Sequence, residues 1–164
     1  MRFAGNANVA ELSDLLKDES ERCVVIVAAA FFDETLARIL GDTNERSFYA
    51  RIEDGRDYAI LTQLECDDLH EVRNLRNIFA HNLRAATFDC TATAVVESMN
   101  VWQVGSKHIQ KYQQLFPGAR ERFLYVIGMI AFRLQRRPKA ASKIGALPEP
   151  PFRDISAWPP VTGF

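Results

Sequence analysis

Apolar residues recur every three or four positions along most of the chain, which is the spacing of one face of an α-helix. The clearest segments of this kind are residues 8–16, 20–40, 67–81, 91–104 and 119–136. Residues 44–64 are less regular and predict helix, turn, helix, with the turn at the charged stretch 53–57. No segment alternates apolar and polar residues as a half-buried strand does. The sequence therefore predicts an all-α fold, a single bundle of about five to seven helices.

Two of these helices have recognisable ends. Ser20 is expected to cap the second helix, which Gly41 ends, and its apolar residues 23–32 predict a position at the centre of the bundle. Pro138 ends the last helix, and six of the seven prolines lie from Pro138 onward. We therefore expect a bundle domain at residues 1–137 and an extended or disordered Pro-rich tail at 138–164.

Composition narrows the class of protein. The chain has 164 residues, 48% of them apolar, which suits one core, and 20 basic against 21 acidic residues give a net charge of -1. No overall field attracts nucleic acid or anionic lipid. The longest apolar runs are shorter than the ~20 residues of a membrane-spanning helix. The first residues lack the pattern of a secretory signal, so a cytoplasmic location is expected.

The cysteines and histidines do not indicate a metal or a disulfide. Cys23, Cys66 and Cys90 are odd in number, widely spaced and in no C-x-x-C arrangement. The three histidines add no spacing typical of metal ligands. The chain also lacks a Gly-rich phosphate loop and a dinucleotide fingerprint. Neither a metal nor a cofactor is expected.

The segment 67–81 carries the most informative polar pattern. Its apolar face consists of Leu69, Val72, Leu75 and Phe79, and a polar stripe on another side consists of His70, Arg73, Asn77 and His81. Two imidazoles, a guanidinium and an amide suit phosphate, a carboxylate ligand or the same helix of a second subunit. The alternative is a solvated helix face. We expect two chains to associate with this stripe at or beside the interface.

Arg76 lies at the edge of the apolar face, where a charge needs a partner. Asp33 and Glu34 continue the apolar stripe of the second helix, so one of them should also point inward. A buried, hydrogen-bonded ion pair of Arg76 with Asp33 or Glu34 would give both the arginine and the inward carboxylate a partner. The competing interpretation is that Arg76 faces an active cleft and clamps phosphate.

Three segments carry a resemblance to a known family. They are residues 23–34 (CVVIVAAAFFDE), 48–52 (FYARI) and 68–81 (DLHEVRNLRNIFAH). Together they resemble the mannitol operon repressor family. The resemblance implies an all-helical homo-oligomer that regulates through protein partners. It implies no DNA-reading helix-turn-helix, and hence no direct sequence-specific DNA binding.

The hexapeptide RNIFAH at residues 76–81 also resembles the Arg, four residues, His signature of HEPN helical bundles. This resemblance implies a metal-independent ribonuclease, or a toxin component, with its site at a dimer interface. Arg76 would hold the phosphate charge and His81, supported by Asn77, would take the proton of a ribose 2′-hydroxyl. Five positions separate Arg76 from His81 by about 140° around the helix. The regulatory interpretation therefore ranks first and the ribonuclease second, and His81 has the alternative of bonding its own helix's last carbonyls.

Overall fold

The computed structural model describes residues 9–42, 46–81, 87–108 and 114–137. Within these residues the chain forms seven α-helices and no β-strand, which confirms the predicted all-α bundle. The helices are α1 (Val9–Leu16), α2 (Glu21–Leu40), α3 (Phe48–Asp57), α4 (Gln63–His81), α5 (Cys90–Ser98), α6 (Asn100–His108) and α7 (Ala119–Leu134). None of them combines the length and the apolar content that crossing a bilayer requires. The predicted tail, 138–164, lies outside the described residues.

α2, α4 and α7 each pack against four other helices, and α2 contacts α1, α3, α4 and α7. α4 contacts α2, α3, α5 and α6, and α7 contacts α1, α2, α5 and α6. Aromatic rings join α4 and α7, because Phe88 lies 5.4 Å from Phe79 of α4 and 5.7 Å from Phe123 of α7 between ring centroids. α7 is buried without interruption over residues 123–131. The core is one cluster of buried side chains to which all seven helices contribute.

α2 has the ends that the sequence predicts, and its contacts with α1, α3, α4 and α7 agree with a central position, but it is not buried on every side. The Ser20 hydroxyl accepts a hydrogen bond from the Cys23 N–H at 3.3 Å, and Gly41 ends the helix with φ of +66°. Ile26, however, is 37% exposed, and Ala30 is exposed as well. Apolar composition alone therefore overstated the burial of α2, whose outer side has no covering helix among the described ones.

Three predicted boundaries were wrong. The charged stretch 53–57 continues α3 instead of forming a turn, and the single helix predicted at 91–104 is two helices separated by Met99, which has an extended backbone. α4 begins at Gln63, four residues before the predicted start at Asp67. The errors at the start of α4 and at the start of α6 have a common cause, since a buried carboxylate of α4 stabilises each of these two helix starts.

Glu65 is the first of these carboxylates and is fully buried. It forms a capping box, because its N–H bonds the Thr62 hydroxyl at 3.2 Å while its carboxylate accepts the Thr62 N–H at 3.0 Å. The same carboxylate accepts two hydrogen bonds from Arg137, at 2.5 and 2.9 Å, and one from Arg133 at 3.2 Å. Glu65 thus ties the start of α4 to the end of α7.

Asp68 is the second buried carboxylate and caps another helix. Its two oxygens accept the N–H groups of Asn100 and Val101, the first residues of α6, at 2.6 and 2.8 Å. Burial outweighs these bonds and raises the pKa of Asp68 to about 7. The start of α6, and hence the break after α5, is therefore set by a residue 32 positions earlier in the chain.

Candidate functional site

The predicted polar stripe lies on α4, and the structure divides its four residues into two groups. His70 and Arg73, in the middle of the helix, are partly buried and contact α3. Asn77 is partly buried and His81, the last residue of α4, is exposed. The stripe is therefore not one continuous face exposed to solvent. Its first half belongs to a site between two helices, and its second half lies near the end of α4.

Tyr49 of α3 joins the first two stripe residues. Its ring centroid lies 5.1 Å from that of His70, and the guanidinium carbon of Arg73 lies 5.3 Å from the Tyr49 ring centroid, in reach of a cation–π interaction. Tyr49 nevertheless remains 50% exposed. We call Tyr49, His70 and Arg73 the Tyr49 platform. It presents an aromatic ring that is held by two α4 side chains and open to solvent.

Arg73 has an incompletely satisfied guanidinium. Its Nε is buried and has no hydrogen-bond partner among the residues that the structure describes. A buried donor without a partner costs about 1 to 3 kcal/mol. Because this Nε is covered by the protein, a carboxylate or phosphate oxygen from solvent could contact only the exposed part of the partly buried Arg73 side chain.

Glu53 of α3 lies behind the platform and contacts three groups. Its Oε1 is 2.7 Å from His70 Nε2 and 4.0 Å from Cys66 Sγ, and its Oε2 is 2.6 Å from Arg56 Nη2. One ligand atom each of Glu53, Cys66 and His70 all lie within 4.8 Å of one another. Burial, followed by the negative charge of Glu53, raises the pKa of Cys66 to about 11. A free Cys66 thiol is therefore protonated at neutral pH and is a poor nucleophile.

The expectation that cysteines and histidines have no metal-ligand spacing was wrong for Cys66 and His70. Cys66 and His70 are four residues apart, which places both on one face of a helix. The predicted start of the helix at Asp67 left Cys66 outside it and concealed the pair. Glu53 was concealed in the same way, because it was expected in a turn. A correct start for α4, available from the Thr62-x-x-Glu65 capping box, would have revealed Cys66 with His70.

The predicted buried ion pair of Arg76 with Asp33 or Glu34 was wrong. Arg76 is exposed, because its long side chain extends from the edge of the apolar face into solvent. Asp33 instead accepts a hydrogen bond from Arg51 of α3 at 2.6 Å. Arg51 also donates to Asp42 at 3.1 Å, so α3 supplies the cation for two α2-side carboxylates.

Of the three residues assigned to the ribonuclease interpretation, Arg76 and His81 are exposed and Asn77 is partly buried. The exposed Arg76 donates a hydrogen bond to Asn77 Oδ1 at 3.1 Å, and His81 is exposed. The expected role of Asn77 was to support His81, whereas its observed partner is Arg76. Within one chain Arg76 and His81 leave α4 on different sides, about 140° apart. Within one chain they would converge only if Arg76 reached around the helix or the end of α4 unwound.

Comparison with protein-family models, with curated proteins and with solved structures finds no match for this chain.

Proposed function

We propose that the chain is a helical regulatory protein of the mannitol operon repressor type, which acts through protein–protein contacts and forms a homo-oligomer. The family part of this proposal rests on the resemblance of residues 23–34, 48–52 and 68–81, and the Tyr49 platform is the observation that supports protein–protein contact. A half-exposed Tyr49 ring packs against His70 and Arg73. Tyrosine and arginine, with tryptophan, are the side chains most enriched where interfaces concentrate their binding energy.

The physical advantage of the platform is its order before binding. A tyrosine ring already held by two neighbours loses little side-chain entropy when a partner covers it. Arg73 adds a planar donor group that binds a carboxylate more specifically than a lysine would. The platform is therefore suited to a partner surface that presents an acidic group beside an apolar one. Asn77 and His81 extend the same helix and would lie at or beside a two-fold interface.

Sedimentation velocity tests the assembly part of the proposal. Wild-type protein at micromolar concentration is expected to be a dimer, and Tyr49→Ala and Arg73→Ala to weaken the dimer by about 30-fold, the effect of losing about 2 kcal/mol at an interface hot spot. Leu115→Ala is the matched control, since Leu115 is 46% exposed and lies outside the platform. Circular dichroism must show unchanged helicity in all three variants. A monomeric wild type would contradict self-association.

Capture from native lysate tests the regulatory part. Partners retained by the wild type should be lost from both platform variants and kept by Leu115→Ala. Partners retained equally by all proteins would exclude the platform as the regulatory surface.

A metal-independent ribonuclease of HEPN type is the second candidate. It is favoured by the exposure of Arg76 and His81 and by the hydrogen bond from Arg76 to Asn77, which pre-orients the guanidinium. In a dimer, Arg76 of one chain would stabilise the phosphate charge while His81 of the other takes the 2′-hydroxyl proton. Such general-base catalysis contributes about 10²- to 10⁴-fold.

RNA cleavage in the presence of a chelator separates the two candidates. The regulatory proposal predicts that wild type cleaves mixed single-stranded RNA no faster than His81→Ala. Cyclic-phosphate products that disappear in His81→Ala and in Arg76→Ala, with helicity unchanged, would make the ribonuclease the better assignment. Asn74→Ala, an exposed change on the same helix, serves as the control that should leave any cleavage intact.

A further inference from the structure

A carboxylate, a thiol and an imidazole meet between α3 and α4. They belong to Glu53, Cys66 and His70, and one ligand atom of each lies within 4.8 Å of the other two. We propose that these three side chains bind a divalent transition-metal ion of the zinc type. The site shares His70 with the Tyr49 platform, but the proposal does not rest on the regulatory function.

The donor set matches the proposed ion. Zinc is bound in proteins by cysteine sulfur, histidine nitrogen and carboxylate oxygen, usually four ligands in a tetrahedron. Magnesium and calcium take oxygen ligands and would gain nothing from Cys66. A thiol and an imidazole together therefore select a softer ion.

The geometry requires only side-chain adjustment. Bonds of 2.0 to 2.3 Å in a tetrahedral zinc site place ligand atoms about 3.3 to 3.8 Å apart. Glu53 Oε1 is 2.7 Å from His70 Nε2 and 4.0 Å from Cys66 Sγ, which brackets that spacing. Cys66 and His70 are one turn apart on α4, and Glu53 approaches from α3. Opening the first distance and closing the second by less than about 1 Å would bring these two pairs into range, and the third pair, Cys66 and His70, lies within 4.8 Å.

Charge and neighbouring contacts also fit. The Glu53 carboxylate and a Cys66 thiolate, formed when the thiol proton passes to solvent, balance the two charges of the ion. Arg56 holds the other oxygen of Glu53 at 2.6 Å, and the Tyr49 ring packs against His70, so both ligands are already oriented. The His70 and Glu53 side chains are 23% and 27% exposed, which leaves a solvent side for water as a fourth ligand.

Cobalt(II) is the appropriate probe, because thiolate ligation to it produces a charge-transfer absorption band that oxygen and nitrogen ligands do not. Chelator-treated full-length protein titrated with Co²⁺ should develop this band at one ion per chain. Zn²⁺ should then displace the cobalt and raise the melting temperature in a concentration-dependent way.

Variants assign the ligands. Cys66→Ser should abolish the charge-transfer band, and His70→Gln should weaken zinc binding more than about tenfold, the smallest loss typical even of outer contacts at metal sites. Cys90→Ser is the control, since Cys90 is a free, exposed cysteine. If Cys66→Ser fails to fold, Glu53→Gln replaces it and should weaken binding likewise. No cobalt binding by wild type, a band that survives in Cys66→Ser, or a band lost in Cys90→Ser would overturn the proposal.

Discussion

Glu65→Gln removes one negative charge from inside the bundle while keeping nearly the same side-chain volume. Glu65 is 0% exposed and accepts hydrogen bonds from Arg137, Arg133 and the Thr62 N–H. A glutamine keeps one acceptor oxygen but removes the negative charge that two guanidinium groups, 12% and 20% exposed, contact in the wild type. Removing one partner of a buried ion pair typically costs about 3 to 5 kcal/mol. We expect a loss of stability in that range.

Urea unfolding followed by circular dichroism measures the loss, with Glu97→Gln as the matched control. Glu97 pairs with Arg122, but its side chain is 48% exposed. A surface pair of this kind contributes about 0 to 1 kcal/mol. The same chemical change should therefore cost several times more at position 65. Equal costs at the two positions would refute the argument that burial makes the Glu65 interactions strong.

The pH dependence provides a second measurement on the same variant. Burial by itself raises the pKa of Glu65, but the hydrogen bonds and charge of Arg137, the Thr62 N–H and the charge of Arg133 outweigh it, so the pKa lies below its usual value. The unfolded chain therefore takes up the proton first as the pH falls. The stabilisation is complete above the ordinary glutamic acid pKa and is lost as the pH falls through the lowered one. The difference between wild type and Glu65→Gln should shrink below about pH 4, and a constant difference would contradict the mechanism.

Three further predictions concern single positions. The pH dependence of stability at Asp68 has the opposite sign to that at Glu65, because the pKa of Asp68 is raised to about 7. Its contribution to stability therefore decreases as the pH rises from the ordinary aspartic acid pKa to 7. Wild type should lose about 2 kcal/mol relative to Asp68→Asn between pH 5 and pH 7, and parallel pH profiles in urea unfolding would disprove it. Gly55→Ala would place a Cβ 2.9 Å from Leu61 Cδ1, a fully buried side chain, and should cost about 1 to 3 kcal/mol by thermal unfolding. Ser20→Ala should cost about 1 kcal/mol while Ser20→Asp should not, and equal melting temperatures for the two variants would argue against the cap.

Helix identity and the ends of α2 followed from local signals. Apolar spacing of three and four residues, a serine cap and a left-handed glycine act within a few positions of the chain. The predicted α2 therefore agrees with the observed Glu21–Leu40. The capping box at Thr62 and Glu65 is an equally local signal that was missed, and it would have corrected the start of α4.

Other features depended on contacts between distant residues. The break at Met99 exists because Asp68, on another helix, caps α6. Apolar spacing continues through Met99, so the pattern alone predicted a single helix.

Ion-pair assignment and the assembled site were likewise decided by tertiary structure. The chain offers several arginines of equal charge, and which one reaches Asp33 depends on where α3 packs, so Arg51 forms the pair and Arg76 does not. Glu53 meets His70 across 17 positions for the same reason. By itself the sequence determined the all-α class, the α2 ends and the polar stripe of α4, because these follow from the period of one helix. Only the packing of α3 on α4 decided which residues of the polar stripe are covered and which side chains of α3 they contact. The rotation of each helix about its axis and its offset along that axis are set by the whole core, so a single helix does not determine them.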